Sequence, residues 1–358
     1  MARAVFSRSE SGTGRLRAWM WSGLLAFCAG PLALGSAAAA GSGAVVPLAG
    51  TTVAPQTRSV DAWLARMRDA SVGRAYQGTF VVSSASGALS RARIAHACDG
   101  QQQWVRVETL TGAPRTTYRH DDEVVTFWPV AGVVRSEKRG ALAAFPVFMQ
   151  APGGTVTDFY RAQADGSARV AGLDADVIEF VPRDGFRYGY RAWSEKSTGL
   201  LLKLQTLDTA GRVLEQSAFS ELKLDAPVSI DALKASMGRT GGYRVEPAAA
   251  TPTSAEAEGW VLKTGVPGFQ PLHCYRRAGA SAPTMHWVFS DGLASVSLFI
   301  EVYDPRQHVA EAVMLAGATR TLTRRLGNPR IGRWWLTVVG EAPTRTLEAF
   351  ADGLVRSH

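Results

Sequence analysis

The chain has 358 residues, of which 46% are hydrophobic, 9% aromatic and 20% charged, and its formal net charge is +8 at pH 7. This composition is that of a globular protein and excludes a disordered, collagen-like or disulfide-dense chain. The basic residues are dispersed and form no stripe of the kind that binds nucleic acid. A modest positive charge instead suits an acidic protein or an anionic lipid headgroup as partner.

Residues 1–40 have the order of a secretory signal peptide. Four arginines precede an apolar run over 18–34, and only small side chains follow over 36–40. The run is short and interrupted by a Gly-Pro pair, which favours a cleaved signal over a membrane anchor. We expect export with cleavage near Ala38 or Ala40. This removes four Arg and one Glu, so the formal charge falls from +8 to +5.

Two cysteines, Cys98 and Cys274, lie outside the signal segment. In an oxidising compartment they either pair or remain as separate buried thiols, and the sequence leaves both alternatives open. His273 adjoins Cys274, but neighbouring residues on a strand point to opposite faces. We therefore expect no metal site there.

Residues 41–57 are small and polar and predict a disordered entry segment. A helix is predicted next, with Ser59 as its N-cap and Gly73 as its end. The apolar residues that predict it recur at i, i+3, i+4 and i+7 and are Val60, Trp63, Leu64 and Met67.

From Tyr76 onward, short β-branched and aromatic segments alternate with turn residues and predict many antiparallel strands. The stretch from Asp176 to Leu224 alone predicts four consecutive strands with an apolar face that another element must cover. Residues 142–148 predict a short helix or an aromatic-rich loop. Residues 58–225 are thus expected to form one α+β domain, a large curved antiparallel sheet wrapped partly around a helix.

Residues 226–258 are interpreted as a linker, with a short helical patch over 231–237 and an Ala-, Pro- and Thr-rich stretch that predicts no packed element. Residues 259–358 predict a smaller α+β domain. Asp291-Gly292 predicts a tight hairpin turn in it, and residues 343–356 predict a closing helix.

No pattern of catalytic residues is present: the sequence lacks a nucleophile elbow, a Walker loop, a zinc-protease helix and paired metal cysteines. The acidic run 121–123 and Asp291 are interpreted as turn residues. His120 and His308 stand alone. We therefore predict a non-enzymatic protein without a cofactor or a metal ion.

The predicted first domain is rich in aromatic residues. Each of them either packs in the hydrophobic core or lines an apolar groove. Such a groove, with few polar groups, could bind an acyl chain. The lipid-binding candidates are Phe80, Trp104, Phe127, Phe145, Phe148, Phe180, Tyr188 and Tyr190.

Several local motifs resemble those of the MucB/RseB family, over nearly the whole chain from Ser59 to Arg356. In the first predicted domain they are Tyr76-Gln77-Gly78-Thr79-Phe80, Leu110-Thr111-Gly112, Arg169-Val170-Ala171-Gly172, Phe186-Arg187-Tyr188-Gly189-Tyr190-Arg191-Ala192-Trp193 and Thr198-Gly199-Leu200-Leu201. In the second they are Pro267-Gly268-Phe269, Ser290-Asp291-Gly292-Leu293-Ala294-Ser295 and Val339-Gly340-Glu341-Ala342-Pro343. Thr111 and Thr116 depart from the family pattern, since acidic residues are expected at these two positions.

The resemblance implies a periplasmic negative regulator of the envelope-stress sigma factor. Such proteins bind the periplasmic region of a membrane anti-sigma factor of the MucA/RseA type and shield it from regulatory proteolysis. A lipid-type signal, lipopolysaccharide or mislocalised lipoprotein, is expected to release it. The first domain is similar to the carriers LolA and LolB, half-open β-barrels over helices.

The resemblance also directs attention to the second predicted domain and to the cleft between the two domains. The partner-binding candidates there, which the core explains equally well, are Phe269, Trp287, Phe289 and Phe299. The alternative function is a periplasmic lipid or lipoprotein carrier of the LolA type, which has no need of a second domain. The oligomeric state is left open.

Overall fold

The structure, a computed structural model, describes residues 58–100, 102–138, 156–246, 250–277, 283–328 and 332–357. Within these ranges the chain forms a large sheet of twelve strands, a small sheet of seven and a separate two-stranded pair. The helices are α1 (Val60–Gly73), α2 (Ile230–Met237) and α3 (Thr344–Gly353), with one 3-10 turn (Val156–Asp158).

The large sheet is open, with strand order β12-β6-β5-β4-β3-β2-β1-β11-β10-β9-β8-β7. Neighbours are antiparallel except β12, which runs parallel to β6. Its strands are β1 (Tyr76–Ser84), β2 (Leu89–Cys98), β3 (Gln103–Thr109), β4 (Thr116–His120), β5 (Glu123–Trp128), β6 (Val133–Lys138), β7 (Tyr160–Val170), β8 (Leu173–Pro182), β9 (Gly189–Glu195), β10 (Leu201–Leu207), β11 (Val213–Leu224) and β12 (Arg244–Glu246). The four strands predicted between Asp176 and Leu224 are β8 to β11.

The small sheet has the order β13-β15-β16-β17-β20-β19-β18, and a separate two-stranded pair joins β14 to β21. The strands are β13 (Ala250–Pro252), β14 (Trp260–Leu262), β15 (Gln270–Arg277), β16 (Thr284–Ser290), β17 (Ser295–Val302), β18 (Ala312–Ala316), β19 (Thr319–Asn328), β20 (Gly332–Gly340) and β21 (Leu354–Arg356). The helix predicted over 343–356 therefore ends at Gly353, and its last residues form β21.

The first helix begins as its sequence predicts. The Ser59 side chain accepts a hydrogen bond from the Ala62 N–H, which satisfies one of the free donors of the first turn. Trp63, Leu64 and Met67 are buried against Ile178 and Phe180 of the large sheet. Helix α1 is thus the element that covers the apolar face of the four-strand stretch.

The segment predicted as a linker differs from the prediction, because much of it packs on the large sheet. Leu233 and Met237 of α2 are buried against Trp104 and Phe127, and β12 adds an edge strand beside β6. The segment is amphipathic over only eight residues, too short for its sequence alone to show which face it covers. Strand β13 belongs in turn to the small sheet.

Candidate binding surfaces

The two helices of the large sheet lie on opposite faces of it. Cross-strand pairing places Ile178, Ala192 and Leu204 on one face, which α1 covers. Because side chains alternate along a strand, Trp104 lies on the other face from Val105. Trp104 is covered by α2. We call these the α1 face and the α2 face.

The α1 face continues past its helix as an apolar surface on β1 to β3. Tyr76 and Ile94 are buried there beside Phe219, whereas Phe80, Val105 and Val107 pack against them and are only partly buried. We call this region, in which three apolar side chains are only partly buried, the open part of the α1 face.

A histidine lies within this surface. The His96 ring stacks on Tyr76 at a centroid distance of 4.9 Å, and its Nδ1 lies 2.6 Å from the Arg74 carbonyl oxygen, to which it donates. Burial lowers the pKa of His96 and outweighs the hydrogen bond to Arg74, which raises it. His96 is thus a neutral packing residue near pH 7.

The structure distributes the lipid-binding candidates over both faces. Phe180 and Tyr190 are buried beneath α1, Trp104 and Phe127 beneath α2, and Phe80 is partly buried on the α1 face. Tyr188 is buried, with the Arg320 guanidinium 5.7 Å from its ring centre. Phe145 and Phe148 lie outside the described residues. Acyl-chain binding by these side chains stays a prediction, and Phe80 is the one of the six described that lies at the open surface.

Of the partner-binding candidates, Phe269, Trp287 and Phe289 are buried in the core of the small sheet with Phe350 of α3. Phe299 lies on the opposite face, partly buried, and its ring stacks on His286 at 4.2 Å. Contact of these four residues with a partner also stays a prediction.

The two sheets meet at a buried ion pair. Arg187, in the turn between β8 and β9, places its Nε 2.9 Å from Oδ2 of Asp291, in the turn between β16 and β17, and both side chains are fully buried. The hydroxyl of Tyr160 donates to the same carboxylate at 3.0 Å. Arg187 also donates to Asp184 and to the carbonyl oxygen of Pro267.

The turn that carries Asp291 is itself inserted into the large-sheet unit. Its Leu293 belongs to the buried cluster beneath α1. The N–H groups of Leu293 and Ala294 donate to Oδ1 of Asp291 at 3.0 and 2.7 Å, which fixes the turn. From the sequence, Asp291 was interpreted only as a turn residue. The apolar residues Leu293 and Ala294 beside it are the sequence feature that could have indicated a buried turn.

Further contacts extend this junction, as we call the contact between the two sheets. Thr346 of α3 donates to the Phe186 carbonyl oxygen at 2.6 Å, and the Arg345 guanidinium lies 4.5 Å from the Phe186 ring centre. At Gly317, which has a φ of +59°, a Cβ would lie 2.6 Å from a carboxylate oxygen of Glu215, so the β18–β19 turn also touches the large sheet.

The junction holds carboxyl groups in unusual surroundings. Burial raises the pKa of Asp291, and the turn N–H groups and the Arg187 charge oppose this rise. Burial, and then the Glu215 carboxylate, raise the pKa of Glu341 to about 7. Burial also raises the pKa of Glu215, against a hydrogen bond from the Ala318 N–H. The junction therefore combines a buried ion pair with carboxyl groups whose pKa values are raised.

Within the described ranges, no three His, Cys, Asp or Glu side chains group in a way that holds a metal ion. Both Cys98 and Cys274 are free thiols, and burial raises the pKa of Cys274 to about 12. No helix in this part of the chain is both long and apolar enough to cross a membrane.

Two family models match the chain, the MucB/RseB N-terminal domain over residues 59–237 and the MucB/RseB C-terminal domain over 254–355. The chain is 31% identical to the sigma factor AlgU regulatory protein MucB of Pseudomonas aeruginosa, over 83% of this chain and 92% of the relative. It is 24% identical to the sigma-E factor regulatory protein RseB of Escherichia coli K12, over 84% and 92%. A crystal structure of MucB in complex with MucA(peri) matches with a TM-score of 0.64 and 28% identity, over 83% of this chain and 98% of that one.

Proposed function

The chain belongs to the MucB/RseB family, and from this premise we propose that it binds the periplasmic region of a membrane anti-sigma factor and shields that region from regulatory proteolysis. The observation that carries the proposal is the match to a MucB chain solved with MucA(peri), because it spans both sheets and covers 98% of that chain. A binding regulator needs no catalytic group, in keeping with the regulatory names of the relatives.

The same proposal places the protein in the periplasm. Residues 1–40 act as the export signal and are removed near Ala38 or Ala40. Export brings the protein to the side of the inner membrane on which the periplasmic segment of an anti-sigma factor lies.

We further propose that an acyl chain of lipopolysaccharide or of a mislocalised lipoprotein binds the open part of the α1 face and releases the anti-sigma factor. Phe80, Val105 and Val107 supply the apolar contact. Release requires the lipid to prefer the free protein over the complex, since a ligand shifts an equilibrium only by its differential affinity. The alternative, a LolA-type carrier, leaves the small sheet and the buried junction without a role.

The test is calorimetric titration of the mature protein with the periplasmic peptide of the anti-sigma factor from the same organism, with and without lipopolysaccharide fragments. We expect binding that the fragments weaken. Failure to bind the peptide under every condition would overturn the regulator proposal, and acyl chains retained through purification without peptide binding would favour the carrier.

Matched variants locate the lipid. Val107→Asp places a charge in the open part of the α1 face, and Val130→Asp places the same charge on a turn where the side chain is 82% exposed. We expect Val107→Asp alone to abolish the effect of the fragments while peptide binding persists. Equal behaviour of the two variants would remove the lipid from this surface.

A further inference from the structure

A partly buried arginine lies beside the apolar side chains of the open part of the α1 face. In the antiparallel pairing of β2 to β5, Arg119 lies directly opposite Val105 on one side and Val124 on the other. His96 lies opposite Val105 in turn. Directly paired residues of neighbouring antiparallel strands share a face. Arg119 therefore shares the face of Val105, at the surface proposed to hold an acyl chain.

The Arg119 charge acts on this surface. Burial lowers the pKa of His96 against its hydrogen bond to Arg74, and the Arg119 charge lowers that pKa further. Burial also lowers the pKa of Arg119 itself, against the charges of Asp121 and Asp122, which raise it. The guanidinium is thus partly withdrawn from water and close to the stacked His96 ring.

Most hydrogen-bond donors of Arg119 have no acceptor in the described chain. Its Nε donates to the Asp121 carbonyl oxygen at 2.7 Å, and no other described residue accepts from it. The Asp121 carboxylate instead lies 3.4 Å from Nε2 of His120 and accepts from the Gln103 N–H at 3.3 Å. Asp122 is exposed and forms no ion pair with a described residue. The two Nη groups of Arg119, whose planar fork matches a carboxylate or a phosphate, are therefore available to a ligand.

A second arginine of the α1 face is paired, by contrast. Thr126 lies opposite Thr117 on β4 and opposite Arg135 on β6, so Arg135 is on the same face as Arg119. Nη2 of Arg135 lies 2.5 Å from Oε2 of Glu246 on β12. Within the described ranges the fold thus supplies a carboxylate for Arg135 and none for Arg119.

We propose that the open part of the α1 face selects an anionic amphiphile, with its acyl chain on Phe80, Val105 and Val107 and its carboxylate or phosphate head group on Arg119. This assignment rests on the proposed binding of lipid to this face and adds the charge of the ligand and the residue that recognises it. Phe80 and Arg119 are three strands and four residues apart, about 20 Å along the sheet. One acyl chain spans about 15 Å, half the hydrocarbon thickness of a bilayer. A long chain, its head group and the arginine side chain together cover this distance.

The charge of the head group decides the selection. A neutral amphiphile leaves the Arg119 guanidinium partly withdrawn from water without an acceptor, whereas an anion gains charge-assisted hydrogen bonds from both Nη groups. An anion without a chain gains only the contact with one guanidinium and none of the apolar burial on Phe80 and Val107. Tight binding therefore needs both parts of the ligand.

The test is calorimetric titration of the mature protein with three amphiphiles of one chain length, dodecyl phosphate, dodecanoate and dodecyl maltoside, each below its micelle concentration. We expect both anionic ligands to bind at least about tenfold more tightly than the maltoside, and inorganic phosphate alone not to bind measurably. Arg119→Gln should remove the difference, and Arg119→Lys, which keeps the charge, should retain part of it. Arg91→Gln removes the same charge from an exposed position on the opposite face of β2 and should bind like the wild type.

Equal affinity of the wild type for the phosphate and the maltoside would overturn the proposal, as would a preference that Arg119→Gln leaves intact. Partial recovery in Arg119→Lys separates loss of the charge from loss of the fold. If no amphiphile binds and Arg119→Gln instead weakens binding of the anti-sigma peptide, Arg119 holds an acidic side chain of that partner and the lipid head group is ruled out.

Val107→Asp distinguishes this proposal from the proposed function on which it rests. We expect this variant to lose binding of all three amphiphiles. If it binds them unchanged, lipid does not occupy this face and both proposals fail. If it loses binding while Arg119→Gln keeps the preference for the anions, lipid occupies the face and only the role of Arg119 fails.

Discussion

The Arg187 guanidinium and the Asp291 carboxylate form a fully buried pair that joins the two sheets, with 2.9 Å between Nε and Oδ2. The two residues are 104 positions apart along the chain, and neither lies in a strand. The Tyr160 hydroxyl donates to the same Asp291 carboxylate, and Arg187 also donates to Asp184 and to the Pro267 carbonyl oxygen, so these groups form one network. Such a network is needed because removing two charges from water is costly unless both are paired and hydrogen-bonded.

Asp291→Ala should therefore be strongly destabilising. It leaves Arg187 buried without its carboxylate, and breaking such a pair costs about 3–5 kcal/mol. Guanidinium denaturation measures the loss. Arg276→Ala, which removes an ion pair with Glu258 at a side chain 53% exposed, is the matched control and should leave the free energy of unfolding nearly unchanged. Equal losses in the two variants would contradict a special role for the buried pair.

Leu293→Ala should weaken the junction through packing alone. The Leu293 side chain is 7% exposed and belongs to the cluster beneath α1, so truncation costs about 2–5 kcal/mol. Hydrogen exchange should show faster exchange in α1 and β8 as well as in the turn. Leu89→Ala, at a side chain 49% exposed, should change the free energy of unfolding by less than about 0.5 kcal/mol. A loss of protection confined to the turn would argue against coupling of the sheets.

Leu233→Ala tests whether α2, which the sequence assigned to a linker, packs as part of the large-sheet domain. Leu233 is buried against the cluster that holds Trp104 and Phe127, so its truncation should cost about 2–5 kcal/mol. Loss of protection should centre on β3 to β5, with β8 to β10 little affected. Lys234→Ala, at the next residue of α2 and exposed, serves as the control. If neither variant changed the free energy of unfolding, α2 would be a connecting segment that does not stabilise the large sheet.

The Glu341 carboxyl should make stability fall as pH rises. Its pKa is raised from 4.5 to about 7 in the folded protein, so between these values the folded state holds a proton that the unfolded state has lost. The stabilisation of the folded state by protonated Glu341 is fully present below pH 4.5 and is lost as the pH rises through about 7. Glu341→Gln, which stays neutral, should raise the melting temperature at pH 8 and change little at pH 4.5. Glu348→Gln, at an exposed position of α3, is the matched control. If Glu341→Gln changed the melting temperature equally at both pH values, the Glu341 carboxyl would not be the source of the pH dependence.

The sequence predicted elements whose signals are local. Ser59 and the apolar spacing through Met67 specified α1, and turn residues separated β8 to β11, because caps, periodicity and turns act over a few residues. The family resemblance supplied the partner class, which no local pattern carries.

What the sequence did not predict depends on distant contacts. Asp291 sits in an ordinary hairpin turn by sequence, and only the fold shows Arg187 beside it. Strand β18 was missed because five small and apolar residues carry no alternation. The aromatic residues chosen as binding candidates divide between two faces of one sheet, since a residue's face depends on strand pairing that its own neighbourhood does not determine.

The opposite placement of α1 and α2 has a consequence for cooperativity. The buried cluster beneath α1 includes Leu293, from the turn between β16 and β17 of the small sheet. The cluster beneath α2 contains only residues of the large sheet and of the segment 228–243 that follows β11. Native-state opening follows shared buried contacts rather than sequence boundaries. The half of the large sheet under α1 should then open together with the small sheet, and the half under α2 by itself, so the foldons of this protein cut across its two family domains.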